Sequence, residues 1–141
     1  MNKRRQLILA TGALALYRPF KALASWFKPE ASLQTSDQAF YKLAKLEEQL
    51  KASKRRYLPF LNTEKLKTGL YALPAGSVDR QQPHAEDEVY YVIKGKAMFK
   101  AGEESTAIEP GDVLYVKAQV EHRFYEIEED LEILVFFSNM K

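Results

Sequence analysis

Short apolar runs recur along the chain from residue 57 onward, and clusters of turn-forming residues separate them. Pro74-Ala75-Gly76 and Glu128-Glu129-Asp130 are two of these clusters. Strands at this spacing, with no helical pattern between them, are typical of an all-β sandwich or barrel. The pattern predicts strands over residues 57–61, 66–73, 89–93, 97–101, 106–108, 113–116, 120–127 and 131–137.

A helical period precedes the first predicted strand, over residues 35–53. Thr35 is followed three residues later by Gln38, as in a capping box that begins a helix. Ala39, Leu43, Leu46 and Leu50 then repeat at helical spacing, which predicts one apolar stripe. We expect this stripe to pack on the outside of the β domain or on a second subunit.

The first 24 residues resemble an export signal. They contain five basic and no acidic residues, an apolar run over residues 7–17, and Ala22-Leu23-Ala24 before a predicted cleavage at Ser25. Eleven residues span only about 16 Å of helix, roughly half of a ~30 Å hydrocarbon core. An uncleaved anchor is therefore the weaker interpretation, and a merely amphipathic start is the other alternative. Arg4-Arg5 also resembles the pair of a twin-arginine signal, so we expect a periplasmic or extracellular protein whose only link to the membrane is this signal.

The net charge and the length of the chain limit its possible partners and its number of domains. Outside residues 1–24 the chain has 16 basic and 19 acidic residues, which does not favour binding to nucleic acid. The 141 residues are enough for one domain with a real core. We predict a signal at 1–24, an N-terminal extension at 25–56 that carries the helix, and a β domain at 57–141. The chain has no cysteine, which excludes disulfides and thiolate ligands.

Candidate chemistry lies between Gly76 and Gly95. Glu88 begins a run of five β-branched or aromatic residues, 89–93, that we expect to be covered on both faces. A carboxylate buried there needs a cation or a proton. His84 would lie about 13 Å away along a straight strand at ~3.3 Å per residue. The intervening residues 85–87 must therefore turn a corner if His84 and Glu88 are to bind one ion.

The second histidine, His122, also lies close to a turn and a predicted strand. Pro110-Gly111-Asp112 has the composition of a tight turn, the strand 113–116 follows it, and His122 comes shortly afterwards. The chain contains only two histidines, and both lie beside acidic and aromatic residues.

Both stretches resemble the two motifs of the cupin superfamily. The first motif, G-x5-HxH-x3-4-E-x6-G, aligns with Gly76, Gln82, His84, Glu88 and Gly95, with Gln82 in place of the first histidine. The second motif aligns with Pro110-Gly111-Asp112 and His122. The resemblance covers about residues 69–137 and implies a jelly-roll β-barrel, here with an N-terminal α-helix. It also implies that Gln82, His84, Glu88 and His122 hold a metal ion, and phosphomannose isomerases, which are also cupins, similarly use a Gln-x-His pair on zinc.

The donor set restricts the metal and the chemistry. Two imidazoles, a carboxylate and an amide oxygen suit one divalent ion of Fe, Mn, Zn, Ni or Cu, with open positions for a substrate or oxygen. Five aromatic residues would either wall a pocket or simply fill the core, and they favour an apolar or aromatic substrate: Tyr71, Tyr90, Phe99, Tyr115 and Phe124.

Two function classes follow from this site. One is a small-molecule metalloenzyme, dioxygenase-like or isomerase-like. The other is a cupin that binds or senses a ligand or metal without turnover, and the fold alone does not choose between them. The amount of apolar strand surface, and the frequent dimerisation of cupins, lead us to expect a homodimer.

Overall fold

A computed structural model describes residues 36–139, which form one helix and eight strands. Each predicted strand is present, most of them with one or two residues more or fewer at an end, so the all-β prediction is confirmed. The helix α1 spans Leu43–Ser53, and the strands are β1 Tyr57–Asn62, β2 Leu66–Leu73, β3 Glu88–Lys94, β4 Ala97–Ala101, β5 Glu104–Ile108, β6 Val113–Val116, β7 His122–Tyr125 and β8 Leu131–Ser138.

Two antiparallel sheets face each other across the core. The larger sheet has the strand order β1-β2-β8-β3-β6, and the smaller has the order β5-β4-β7. Alternate side chains point inward from each strand. On β8, for example, Ile133 and Val135 enter the core between the sheets, whereas Leu134 packs on the outer face. Tyr90 and Phe124 are among the largest fully buried side chains and fill the middle of this core.

Helix α1 covers part of the outer face of the larger sheet. Its Leu46 and Leu50 are buried against Leu70 of β2, so the predicted apolar stripe does pack outside the barrel. The predicted start of this helix is wrong, because residues 36–42 are not helical and α1 begins at Leu43. The hydroxyl of Ser36 bonds to the Gln38 carbonyl instead, and such local side-chain bonds compete with a helix.

The prediction that residues 89–93 are covered on both faces is also wrong. Tyr90 and Val92 are fully buried in the core, but Tyr91 on the opposite face is 42 % exposed. Helix α1 reaches Ile93 at the far end of β3, and the Tyr91 part of the outer face is left open. The larger sheet is therefore covered on one whole face and on part of the other.

The expected export signal, residues 1–24, and the expected cleavage point before Ser25 lie outside the described residues, as does Thr35. Within the part of the chain that the structure describes, α1 is the only helix, and it is too short and too polar to cross a membrane.

Candidate metal centre

Three side chains meet inside the barrel at its open end. The Nε2 atoms of His84 and His122 lie 2.9 Å and 3.0 Å from the same oxygen, Oε2 of Glu88. One ligand atom from each of these residues can be chosen so that all three lie within 4.8 Å of one another. His84 and Glu88 are separated by only four positions, and the non-strand residues 85–87 turn the corner that brings them together. The prediction that this corner exists is therefore confirmed.

The ring of His122 is fixed by its surroundings. It is the first residue of β7, and its side chain is almost fully buried between Tyr90 and Phe99. Its Nδ1 lies 2.8 Å from the Val120 carbonyl oxygen. A carbonyl only accepts hydrogen bonds, so Nδ1 must carry the proton and Nε2 is left with a free lone pair whenever the ring is neutral. Metal-binding histidines are commonly oriented in this way.

His84 is held by the loop that precedes His122. The backbone N–H of Gln119 donates to the His84 carbonyl at 2.7 Å, and Gln119 adopts a positive φ of 67° in that loop. The N–H of Ala118 donates to Oδ1 of Asp87 at 2.8 Å, and Asp87 is in turn bonded through its backbone to Ser138 of β8. Asp87 thus joins the two loops that carry the histidines.

The contact between Glu88 and His122 requires a proton or a metal ion between the two side chains. Burial raises the pKa of Glu88, but the imidazoles of His122 and His84 together outweigh burial and hold the pKa below its usual value. Burial lowers the pKa of His122, but Glu88 and the Val120 carbonyl outweigh it and raise the pKa. Without a proton or a metal ion, the Nε2 lone pair of His122 would face a carboxylate oxygen at 3.0 Å, and two acceptors at that distance repel each other.

The same atoms fit a divalent metal ion. The second carboxylate oxygen of Glu88, Oε1, and Nε2 of His122 are both buried without a hydrogen-bond partner, which is costly unless an ion satisfies them. Two ligands at about 2.1 Å from one ion and at right angles to each other lie about 3.0 Å apart, which matches the separations here. His84, Glu88 and His122 can therefore hold a metal ion.

Two further charged side chains, Glu86 and Lys67, lie on the Nδ1 side of the His84 ring. Its Nδ1 is 3.5 Å from Oε2 of Glu86, and the other oxygen of Glu86 accepts a hydrogen bond from Lys67 at 3.1 Å. Glu86 thus lies where it can orient the His84 ring. Glu121 and Glu126 are exposed.

Gln82, the predicted fourth ligand, is exposed in this structure, and its coordination of a metal stays a prediction. Its neighbour Gln81 is the glutamine that turns inward. The Gln81 side chain accepts a hydrogen bond from the Tyr90 hydroxyl at 2.9 Å and donates one to Asp79 at 2.8 Å. Asp79 is only 6 % exposed and also accepts from the Tyr71 hydroxyl and from the backbone N–H of Phe124.

This buried network was not found by sequence reasoning. The spacing of Asp79 and Gln81 by two residues was the only available signal, because it places both side chains on one side of an extended segment. Nothing in the sequence shows that this side faces the barrel. The decisive contact joins Asp79 to Phe124, 45 positions away.

The predicted aromatic wall is only partly present. Tyr90, Phe99 and Phe124 pack against one another with ring centroids 4.8–5.7 Å apart and belong to the core, whereas Tyr115 is 62 % exposed and does not line the cavity beside the site. The cavity beside the cluster is polar instead. It has a volume of about 570 Å³, and its walls are Asp79, Arg80, Gln81, Gln82, Pro83, Glu121, His122 and Arg123.

Comparisons with known proteins agree with the fold and the motifs. Residues 69–137 match the cupin domain family. An uncharacterized protein of Streptomyces coelicolor is 47 % identical over 98 residues, which are 70 % of this chain and 93 % of that protein. The chain therefore belongs to the cupin family.

Solved structures share this fold at lower identity. An RmlC-like cupin of Methanocaldococcus jannaschii, with a double-stranded β-helix fold, has a TM-score of 0.54 and 20 % identity over 58 % of this chain and 77 % of its own. A predicted oxalate decarboxylase of Thermotoga maritima has a TM-score of 0.53 and 22 % identity over 60 % of this chain and 79 % of its own. These likenesses establish a cupin jelly-roll barrel and no particular activity.

Proposed function

We propose that this chain is a metalloenzyme that binds one divalent ion through His84, Glu88 and His122 and acts on a small molecule. The observation that carries this proposal is the convergence of two Nε2 atoms on a single oxygen of a carboxylate that is 1 % exposed. A structural histidine pair would need only hydrogen bonds. Here the remaining polar atom of the carboxylate, Oε1 of Glu88, is buried without one.

The arrangement supports catalysis because the site is open on one side. The His84 side chain is 22 % exposed, whereas Glu88 and His122 are almost fully buried. Three protein ligands leave positions for a substrate, and a bound ion of this kind acts as a Lewis acid or, if it is redox-active, as a site for oxygen chemistry. The chain itself orients His122 through Val120 and excludes water from the closed side of the site with Tyr90 and Phe99.

Metal content tests the proposal. Glu88→Gln keeps the shape of the side chain and removes its charge, so we expect the purified and dialysed variant to lose most of its metal. Glu128→Gln is the matched control, because Glu128 is exposed and is not one of the three potential ligands, and it should retain wild-type content. Plasma emission on protein purified without a chelating tag gives the measurement. Equal metal content in the wild type and in Glu88→Gln would exclude the site.

Turnover separates the enzyme from a cupin that only binds or senses a ligand. Metal-loaded protein should consume oxygen or convert a substrate in a screen of small organic molecules, and the activity should be lost in His84→Ala and His122→Ala together with the metal. Tight metal binding and ligand binding without any turnover would favour the binding protein. Gln82→Ala should lose less metal than either histidine variant, since a neutral amide is a weak ligand and water can replace it.

A further inference from the structure

We propose that Arg80 receives a carboxylate group of the substrate in the cavity beside the metal centre, so that the substrates of this protein are small organic acids. This inference rests on the proposed metal site, which it extends to a substrate class. It replaces the expectation of an apolar or aromatic substrate, because the aromatic residues lie in the core and the cavity walls are polar.

The cavity lies next to the metal centre. His122 belongs both to the cavity wall and to the cluster of three potential ligands. The opposite wall is the extended segment from Asp79 to Pro83, which leads directly into His84. A volume of about 570 Å³ lies within the range of roughly 300–1,000 Å³ that small-molecule pockets occupy. A small molecule there can reach both the segment around Arg80 and the metal centre.

Most charged side chains that line this cavity already have partners within the protein. Asp79 is buried and accepts four hydrogen bonds, from Tyr71, from the backbone and side chain of Gln81, and from Phe124. Its charge is therefore compensated within the protein. Arg123 lies 3.4 Å from Glu121, so each of these two has a partner.

Arg80 is the exception. Among residues 36–139 its guanidinium has neither an ion-pair nor a hydrogen-bond partner. It projects from a segment whose neighbours are fixed, because Asp79 is bonded to β7 and Gln81 is bonded to Tyr90. Asp79 is buried, whereas Arg80 is exposed and is one of the residues that line the cavity. An unpaired cation therefore borders the cavity.

A carboxylate is the group that such a site would recognise. The planar guanidinium donates two parallel N–H bonds to a carboxylate. A divalent ion at His84, Glu88 and His122 would attract a second oxygen donor of the same molecule. A neutral molecule of equal size would keep the metal contact but would gain no charge-assisted bond from Arg80.

Binding of succinate, compared with the neutral succinamide, tests this inference. We expect zinc-loaded wild type to bind succinate in isothermal titration calorimetry and to bind succinamide more weakly. Arg80→Gln should raise the Kd for succinate by roughly tenfold or more, which is what the loss of a charge-assisted pair produces, and should leave the Kd for succinamide unchanged. Arg80→Lys should fall between the two. Arg55→Gln is the matched control, because Arg55 is also exposed but does not line the cavity.

The outcomes distinguish this inference from the proposed function. If zinc binds but succinate has the same Kd in the wild type, Arg80→Gln and Arg55→Gln, or fails to bind at millimolar concentration, the role of Arg80 is wrong and the metal site stands. If the wild type takes up no zinc, the metal site is wrong. Titration of the metal-free protein with succinate then tests whether Arg80 binds a carboxylate. Binding that depends on Arg80 supports the inference, and the absence of such binding overturns it.

Discussion

At the scale of single residues, the convergence of His84, Glu88 and His122 was predictable but their supporting contacts were not. The ligand positions follow a fixed local spacing, His84 to Glu88, together with a second motif that ends in His122. The partners that orient them come from distant parts of the chain, as Gln119 does for His84. Such contacts depend on how the loops fold over each other, and a single sequence carries no signal for them.

A metal ion bound at the proposed site would compete with protons for His122, so we expect its binding to depend on pH. Burial lowers the pKa of His122, but Glu88 and the Val120 carbonyl raise it further, so the net direction is upward from the usual value of about 6.5. Above the raised pKa the ring is neutral and free to bind, and as the pH falls through it a proton displaces the metal. We therefore expect zinc affinity to fall as the pH is lowered through this raised pKa, and zinc binding in that range of pH to release protons. Calorimetry in two buffers of different ionisation enthalpy measures this release, and a pH-independent affinity would contradict it.

The hydroxyl of Tyr90 anchors the buried network beside the site. Tyr90→Phe removes the donor to Gln81 and leaves that partly buried amide oxygen without its partner, which should cost about 1 kcal/mol in the free energy of unfolding. Tyr91→Phe is the control on the same strand, because the Tyr91 side chain is 42 % exposed and faces the other way. Urea unfolding of both variants measures the difference. Equal stability of the two would show that the Tyr90–Gln81–Asp79 network does not stabilise the barrel.

At the scale of elements, continuous apolar runs between turn-forming residues explain why the strands were predictable. On β2, Leu70 faces α1 while Leu73 faces the core, so both faces of this strand are apolar and its bounds are clear in the sequence. The start of α1 was not predictable because Ala39 continues the helical period of Leu43 and Leu46, yet Ala39 is exposed and non-helical. With no surface for it to pack against, the apolar spacing alone does not sustain a helix there.

The turn between β3 and β4 depends on Gly95. This residue has a φ of +89°, and a Cβ atom added to it would lie 2.5 Å from the Asp130 carbonyl oxygen. Gly76 also has a positive φ, +70°, but a Cβ there would meet nothing within 4 Å. Both Ala variants therefore suffer the left-handed backbone strain of about 1–2 kcal/mol, and only Gly95→Ala adds a clash with backbone. We expect Gly95→Ala to lower the midpoint of thermal unfolding clearly more than Gly76→Ala, and equal midpoints would contradict the close approach to Asp130.

At the scale of the whole molecule, the open part of the larger sheet is where we expect a second copy to bind. β6 is an edge strand, paired only with β3, and its Val113 and Tyr115 are 66 % and 62 % exposed beside the half-exposed Tyr91. Antiparallel pairing of two β6 edges about a twofold axis would remove both edges and place these side chains beside their copies on one face of a continuous sheet. Light scattering at micromolar concentration should give the mass of a dimer for the wild type and of a monomer for the double variant Val113→Lys, Tyr115→Lys. Val78→Lys changes an equally exposed apolar residue elsewhere and should remain dimeric, whereas a monomeric wild type would exclude this assembly.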